Sequence, residues 1–148
     1  MRHIAITFLL SISLAIVGLA QAPSPVSWTT SAEKASDGDY LLSFAAAIKP
    51  DWVIYGLEEH DDGPIPTSIN FDTGAYELRG EVESRSESSV TDDEIFMIKL
   101  EKFAKEAIFT QKVKATSGET VKGWITYMTC DGERCLPPTD VDFSLELK

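Results

Sequence analysis

A single all-β domain, built as a sandwich of antiparallel strands, is the fold this 148-residue sequence predicts. Three observations carry the prediction. Several segments alternate apolar and polar residues with a period of two, which buries one face of a strand and wets the other. Clusters of Gly, Pro, Asn and Asp separate those segments at the spacing of turns. The length fits one domain, and the part beyond residue 20 is long enough to bury a core without a metal or several disulfides.

The first segment stands outside that fold. Arg2 and His3 form a short basic start, Ile4 to Leu19 is uncharged and mostly apolar, and small residues follow in Gly18-Leu19-Ala20-Gln21-Ala22. This is the layout of a secretory signal peptide over residues 1–20, and the apolar run is short for a membrane span. Cleavage after Ala20 is preferred to cleavage after Ala22, which would set the rigid Pro23 at the scissile bond. The competing reading keeps the segment as an uncleaved anchor. No cysteine follows the run, which argues against a lipid anchor. Residues 21–27, with Ala22-Pro23-Ser24-Pro25, read as a linker leading into the first strand, and residues 28–148 as the domain.

The strands follow in order. Val26 to Ala32 comes first, then Tyr40 to Ile48, bounded by Ser36-Asp37-Gly38-Asp39 and by Pro50. Trp52 to Tyr55 and Ser68 to Phe71 are short, the latter reached through Gly63-Pro64-Ile65-Pro66. Tyr76 to Val82 sets Tyr76, Leu78 and Val82 on one face. Ile108 to Val113, Val121 to Met128 and Val141 to Leu147 complete the set, and the last alternates cleanly: Val141, Phe143, Leu145 and Leu147 against Asp142, Ser144 and Glu146. Trp28, Trp124 and Phe143 fit core positions. Ser84 to Asp93 is polar and acidic and reads as a mobile loop. Asp93 to Ala107, with Ile95, Ile98, Leu100, Phe103 and Ala107 among charges, also fits an amphipathic helix, and periodicity does not decide between the two.

A formal net charge of −11 repels phosphate backbones, so nucleic acid is not an expected partner. The acidic run Glu58-Glu59-His60-Asp61-Asp62 lacks the ligand spacing of a calcium loop and reads as a solvated loop.

The chemistry concentrates at Cys130 and Cys135. A strand runs into Cys130, Asp131-Gly132 is a turn signal, and the chain returns through Cys135 into Leu136-Pro137-Pro138. A four-residue tip between antiparallel strands sets the two cysteines opposite each other, near bonding distance. Export favours the disulfide, and two cysteines leave one intramolecular pairing. The prolines fix φ twice and bar the exit from central pairing. Two roles stay open on spacing alone. A staple closing so short a loop contributes only about 2 kcal/mol in the chain-entropy account. An exposed hairpin bond is also open to in-line attack by another thiolate, which exchange requires. Zinc is disfavoured, since a C-x₄-C pair needs two more ligands and His60 is the one histidine beyond the leader. The same scarcity argues against a Cys-His dyad. No metal and no cofactor are expected.

Tyr127-Met128-x-Cys130-x₄-Cys135-Leu136-Pro137-Pro138, closing on Val141-Asp142-Phe143, resembles the N-terminal periplasmic domain of the thiol:disulfide interchange protein DsbD. Val26-Ser27-Trp28 is similar to that family's opening strand, and Trp52-Val53-Ile54-Tyr55 to its aromatic strand beside the active site. Gly63-Pro64-Ile65-Pro66-Thr67-Ser68 and Phe109-Thr110-Gln111-Lys112-Val113 resemble segments of its Bacteroidetes branch. The resemblance covers most of the chain beyond the leader. It implies an immunoglobulin-like β-sandwich in the periplasm. It implies electrons received from a thioredoxin-like domain fed by a membrane thiol reductase. They would pass on to periplasmic disulfide isomerase-like proteins and to thioredoxins of cytochrome c maturation. Such a domain is a protein-disulfide reductase-type carrier rather than a small-molecule enzyme.

By the same resemblance Cys135 forms the mixed disulfide with partners and Cys130 resolves it. A cap loop over the pair corresponds to Asp93-Glu94-Ile95-Phe96, with Phe96 as the lid, while Tyr55 and Trp52 line the floor. Glu94 is then a candidate acid/base near the thiols. A cap suits the chemistry, because a reduced pair in an oxidising compartment needs shielding and an apolar cover disfavours thiolate. Two departures stand out. The best-known members have one more residue between their cysteines. Their membrane and thioredoxin-like domains are not found in these residues, which implies separate proteins or another use. The alternative is an immunoglobulin-like interaction module with a purely structural disulfide.

Overall fold

The computed structural model describes residues 24–148; the leader and most of the Pro/Ser linker lie outside the described residues. The order is β1 (Val26–Lys34), β2 (Tyr40–Ile48), β3 (Val53–Tyr55), β4 (Ser68–Phe71), β5 (Tyr76–Ser84), β6 (Ser89–Asp92), β7 (Lys99–Ala104), β8 (Glu106–Ala115), β9 (Thr120–Tyr127), β10 (Thr129–Cys130) and β11 (Thr139–Glu146). They form three antiparallel sheets, β1-β2-β8-β5, β11-β9-β4 and β10-β3-β7-β6. The first two face each other as an immunoglobulin-like sandwich. The third carries the cysteine region.

Period-two alternation builds the core. On β2, Tyr40, Leu42, Phe44, Ala46 and Ile48 are all buried, and on β9 so are Val121, Ile125 and Tyr127. Aromatic rings bridge the two layers: Phe44 meets Phe143 edge-on at 4.9 Å between centroids, and Phe71 closes the triangle at 6.2 and 5.7 Å. Trp28 packs against Phe109 and Tyr127.

Four expectations change. Trp124 lies on the outer face of β9 and is 36% exposed, because alternation from Val121 and Ile125 turns it away from the core. Leu78 is exposed as well, although it pairs with buried Val113, because β5 is the edge strand of its sheet; the strand then bulges between Arg79 and Glu83 around Gly80, whose φ of +72° suits glycine. Buried Gln111 donates to the carbonyls of Arg79 and Gly80 that the bulge frees. Ser84 to Asp93 contains β6, paired with β7, rather than loop throughout. Asp93 to Ala107 is not a helix but a turn, β7 and the start of β8. Its helix-like spacing arises because β7 buries both faces, Leu100 into the cysteine cluster and Phe103 into the main core.

The chain changes sheets at Met128. β9 ends in the core with Tyr127, and two residues later Thr129 and Cys130 pair with Ile54 and Val53. Gly123, in the middle of β9, allows the close approach of β4. A Cβ there would lie 1.9 Å from the Asn70 carbonyl oxygen and 2.9 Å from the Phe143 ring. Both obstacles belong to packed strands, so the sheet must part. Gly123→Ala is expected to lower the melting temperature by roughly 5–10 °C, for a cost of about 1–3 kcal/mol. An unchanged melting curve would show that β4 yields freely.

Candidate functional site

Cys130 and Cys135 are bonded to each other across the hairpin, and their backbones form an isolated antiparallel bridge. The register is set on both sides of the pair. Outside it, the Leu136 amide donates to the Thr129 carbonyl at 2.9 Å; at the tip, the Asp131 amide donates to the Arg134 carbonyl at 3.1 Å. Gly132 takes a φ of +89°, as the turn signal required. Thr129, buried, donates its hydroxyl to the Val53 carbonyl at 2.8 Å and ties the strand entering the pair to β3.

The two sulfurs are not equivalent. Cys130 is 1% exposed and clusters with Tyr55 and Leu100, whereas Cys135 is half-buried. Phe96, Ile98 and Met128 pack on the same cluster. Phe96 stands edge-on to Tyr55 at 5.9 Å, with an interplanar angle of 89°. Beside them a cleft of about 260 Å³ is lined by Val53, Tyr55, Ile95, Lys102, Cys130 and carboxylates that include Glu94.

Of the residues singled out in the sequence, Cys130, Cys135, Tyr55, Phe96 and Glu94 are thus brought together. Trp52 is not part of that floor. It packs on the main core, as Ile54 does, because residues alternate at β3 and only Val53 and Tyr55 face the cleft. Its ring lies under the Arg134 guanidinium at 5.9 Å, so it meets the hairpin from the other side.

Asp93 organises the loop, a role the sequence reading did not assign. Its side chain is 5% exposed. One oxygen, Oδ1, accepts from the amides of Ile95 and Phe96, each at 2.9 Å. The other, Oδ2, accepts from the Tyr55 hydroxyl at 3.1 Å and from Lys102 Nζ at 2.8 Å. The main chain closes the turn, with Asp93 N bonded to Ile98 O and Met97 N to Asp93 O. Burial alone would raise the Asp93 carboxyl, but the Lys102 hydrogen bond, the two loop amides and the Lys102 charge outweigh it and hold it below the usual range. Burial first, then the Asp93 charge and hydrogen bond, push the Tyr55 phenol well above its ordinary value, so it remains a donor. A turn-forming Asp at the head of the loop was the available signal. Lys102 gave none, since its partner is nine residues away in another element.

An immunoglobulin-like sandwich with a hairpin cysteine pair under an aromatic loop is the class that fold and site define. The structure resembles the N-terminal periplasmic domain of ScsB from Proteus mirabilis at a TM-score of 0.64 and 22% identity, covering 86% of this chain and 49% of that one. It also resembles the Neisseria meningitidis DsbD N-terminal domain in the reduced form, at a TM-score of 0.53 and 19% identity, covering 80% and 84%. The chain therefore has the fold of a DsbD N-terminal-like domain, and it spans about half the length of the ScsB structure. No protein-family model and no curated protein matches the sequence.

Because folding lowers the Asp93 pKa, its contribution is present above the ordinary carboxyl value and fades as pH falls through the folded value. Asp93→Asn is expected to cost about 1–3 kcal/mol at neutral pH. The gap from wild type should hold above about pH 4 and narrow as pH falls below it. Denaturant titrations of both proteins from pH 3 to 7 check this; a gap independent of pH would contradict it.

Proposed function

We propose that the protein is a periplasmic thiol–disulfide exchange domain. It relays electron pairs through Cys130 and Cys135 between a thioredoxin-like or membrane thiol reductase and disulfide-bearing partners. The asymmetry of the pair carries the reading: one sulfur is sealed and the other half-open at a hairpin, so an incoming thiolate has a single target. The shared fold with domains named as periplasmic and as DsbD N-terminal supports it, as does the signal-peptide layout of residues 1–20.

The chemistry needs no cofactor. A reductant thiolate attacks Cys135 Sγ; the Cys130–Cys135 bond breaks and Cys130 leaves as a thiolate, which takes up a proton. The reductant's second thiolate attacks the reductant's own sulfur in the mixed disulfide and releases Cys135 as a thiolate, which takes up the second proton. Two electrons and two protons have entered the pair, and the donor is oxidised to a disulfide. Delivery runs in reverse: the Cys135 thiolate attacks an acceptor disulfide, and Cys130 then displaces the acceptor's thiolate. Periplasmic disulfide isomerase-like proteins and cytochrome c maturation thioredoxins have the chemistry of such acceptors.

The loop headed by Asp93 acts as the cap. Phe96 covers the cluster around Cys130 until a partner displaces it, and Tyr55 supports the ring from below. Glu94, exposed at the rim of the cleft, serves as a proton acceptor or donor for the thiols once the cap opens.

Cys130→Ala is expected to accumulate disulfide-linked partners through Cys135, read on non-reducing gels of periplasmic extracts, while Cys135→Ala captures none. No adduct from either variant would sink the carrier role. A potential below about −300 mV would instead mark a structural bond. Phe96→Ala should speed reduction of the bond by a small dithiol about tenfold, the loss of one aromatic contact. An unchanged rate would remove Phe96 from the cap.

A further inference from the structure

The hairpin tip is closed by a side chain rather than by its main chain alone. In an ordinary β-turn the carbonyl of the first residue accepts the amide of the fourth. Here the Arg134 amide is bonded to Asp131 Oδ1 at 3.0 Å, and the Glu133 amide shares that oxygen at 3.2 Å. The second oxygen, Oδ2, faces Arg134 Nε at 3.3 Å. Arg134 in turn lies over the Trp52 ring, outside the hairpin. Asp131 follows Cys130 and Arg134 precedes Cys135, so each partner in this clamp is covalently next to one sulfur. These contacts hold the Asp131 carboxyl below the ordinary range, led by the Arg134 amide.

We propose that Asp131, with Arg134 and Trp52, is a positioning residue that keeps the two thiols facing each other when the bond is open. It thereby sets how readily the pair re-forms its disulfide. The reason is thermodynamic. In the oxidised hairpin the covalent bond holds the tip whether or not the clamp is present. In the reduced hairpin only hydrogen bonds hold it. Removing the clamp frees the reduced tip more than the oxidised one, so it lowers the effective concentration of one thiol at the other and favours the dithiol. The inference deepens the exchange reading, but its measurement needs no protein partner.

The test is equilibration of the purified protein with glutathione. The Cys130–Cys135 bond forms as the bond of glutathione disulfide breaks, releasing two glutathione thiols and moving two electrons. Asp131→Ala is expected to lower the equilibrium constant for disulfide formation about tenfold, a rise in potential of about 30 mV. The melting temperature of the oxidised form should stay the same. Asp131→Asn keeps an acceptor oxygen and is expected to restore most of the constant. Arg134→Met, which removes only the guanidinium contacts, should give an intermediate shift. A wild-type constant in Asp131→Ala would overturn the proposal. So would an Asp131→Asn constant as low as that of Ala, because charge rather than the hydrogen bonds would then be responsible. A failed partner capture beside an intact glutathione shift would remove the carrier role and leave the clamp.

Discussion

Ile54 and Tyr55 are neighbours in sequence and bury themselves in different clusters, Ile54 in the main core and Tyr55 against Cys130. Much of the site depends on that alternation along a strand of three residues. β3 pairs with β10 through Ile54–Thr129 and Val53–Cys130, and with β7 through Ile54–Phe103 and Tyr55–Lys102. The ladder therefore fixes Cys130, supplies the ring beneath Phe96 and aligns the lysine that meets Asp93. A slip of one residue would reverse every side chain, sending Tyr55 into the core and an aliphatic side chain to the cysteines. The main core holds the register, because Ile54 and Phe103 are fully buried there. The large core thus pays for the precision of the small one.

The second constraint is electrostatic. Arg79–Glu77 and Arg85–Glu83 are surface pairs with both partners well exposed, and pairs of that kind contribute little. Asp93–Lys102 differs in having both partners largely withdrawn from water and in the further hydrogen bonds that complete the carboxylate. Losing one partner there strands a buried charge. The turn it organises also contains Met97 at a φ of +60°, a left-handed conformation that a non-glycine residue adopts at some cost. Met97 itself is 80% exposed and gains nothing from burial in return. Order in this loop accordingly rests on the Asp93 carboxylate, on the two main-chain bonds that close the turn, and on the packing of Phe96 and Ile98 against the cysteine cluster.

Alternation made most of the sandwich legible: Phe143 and Leu145, for instance, are buried as their period-two pattern predicts. The cysteine hairpin was legible for a different reason, since Asp-Gly and Pro-Pro are local signals that need no tertiary context. The misreadings have physical sources. A strand buried on both faces, as β7 is, carries the apolar spacing of a helix. Leu78 has the inward parity, opposite buried Val113, yet stays exposed because β5 is the edge of its sheet, which alternation alone does not reveal. Trp124 is apolar but sits on the wrong parity of a strand whose other residues decide the face. Asp93–Lys102 was invisible because pairing between β6, the turn and β7 creates it, and neither residue advertises it alone. Trp52 was assigned to the correct strand region but to the wrong side of it, an error of one position in a period of two.

A bond that must open and close imposes a requirement that a staple does not. A staple only has to be stable when formed. An exchanging pair must keep its surroundings nearly constant in both states, or each turnover would carry a reorganisation cost. Here the contacts that define the register lie outside the sulfur–sulfur bond: Leu136 to Thr129 on one side, Asp131 to Arg134 on the other, and Thr129 to Val53 beneath. None of them includes a sulfur atom, so none is broken by the opening of the bond itself. The prolines after Leu136 act in the same direction, because their fixed φ limits how far the returning chain swings once the bond is gone. A cysteine pair closing a long loop would have none of this, since the bond itself would be what held its ends together. The small loop that makes this disulfide a weak stabiliser is therefore the same feature that suits it to repeated opening.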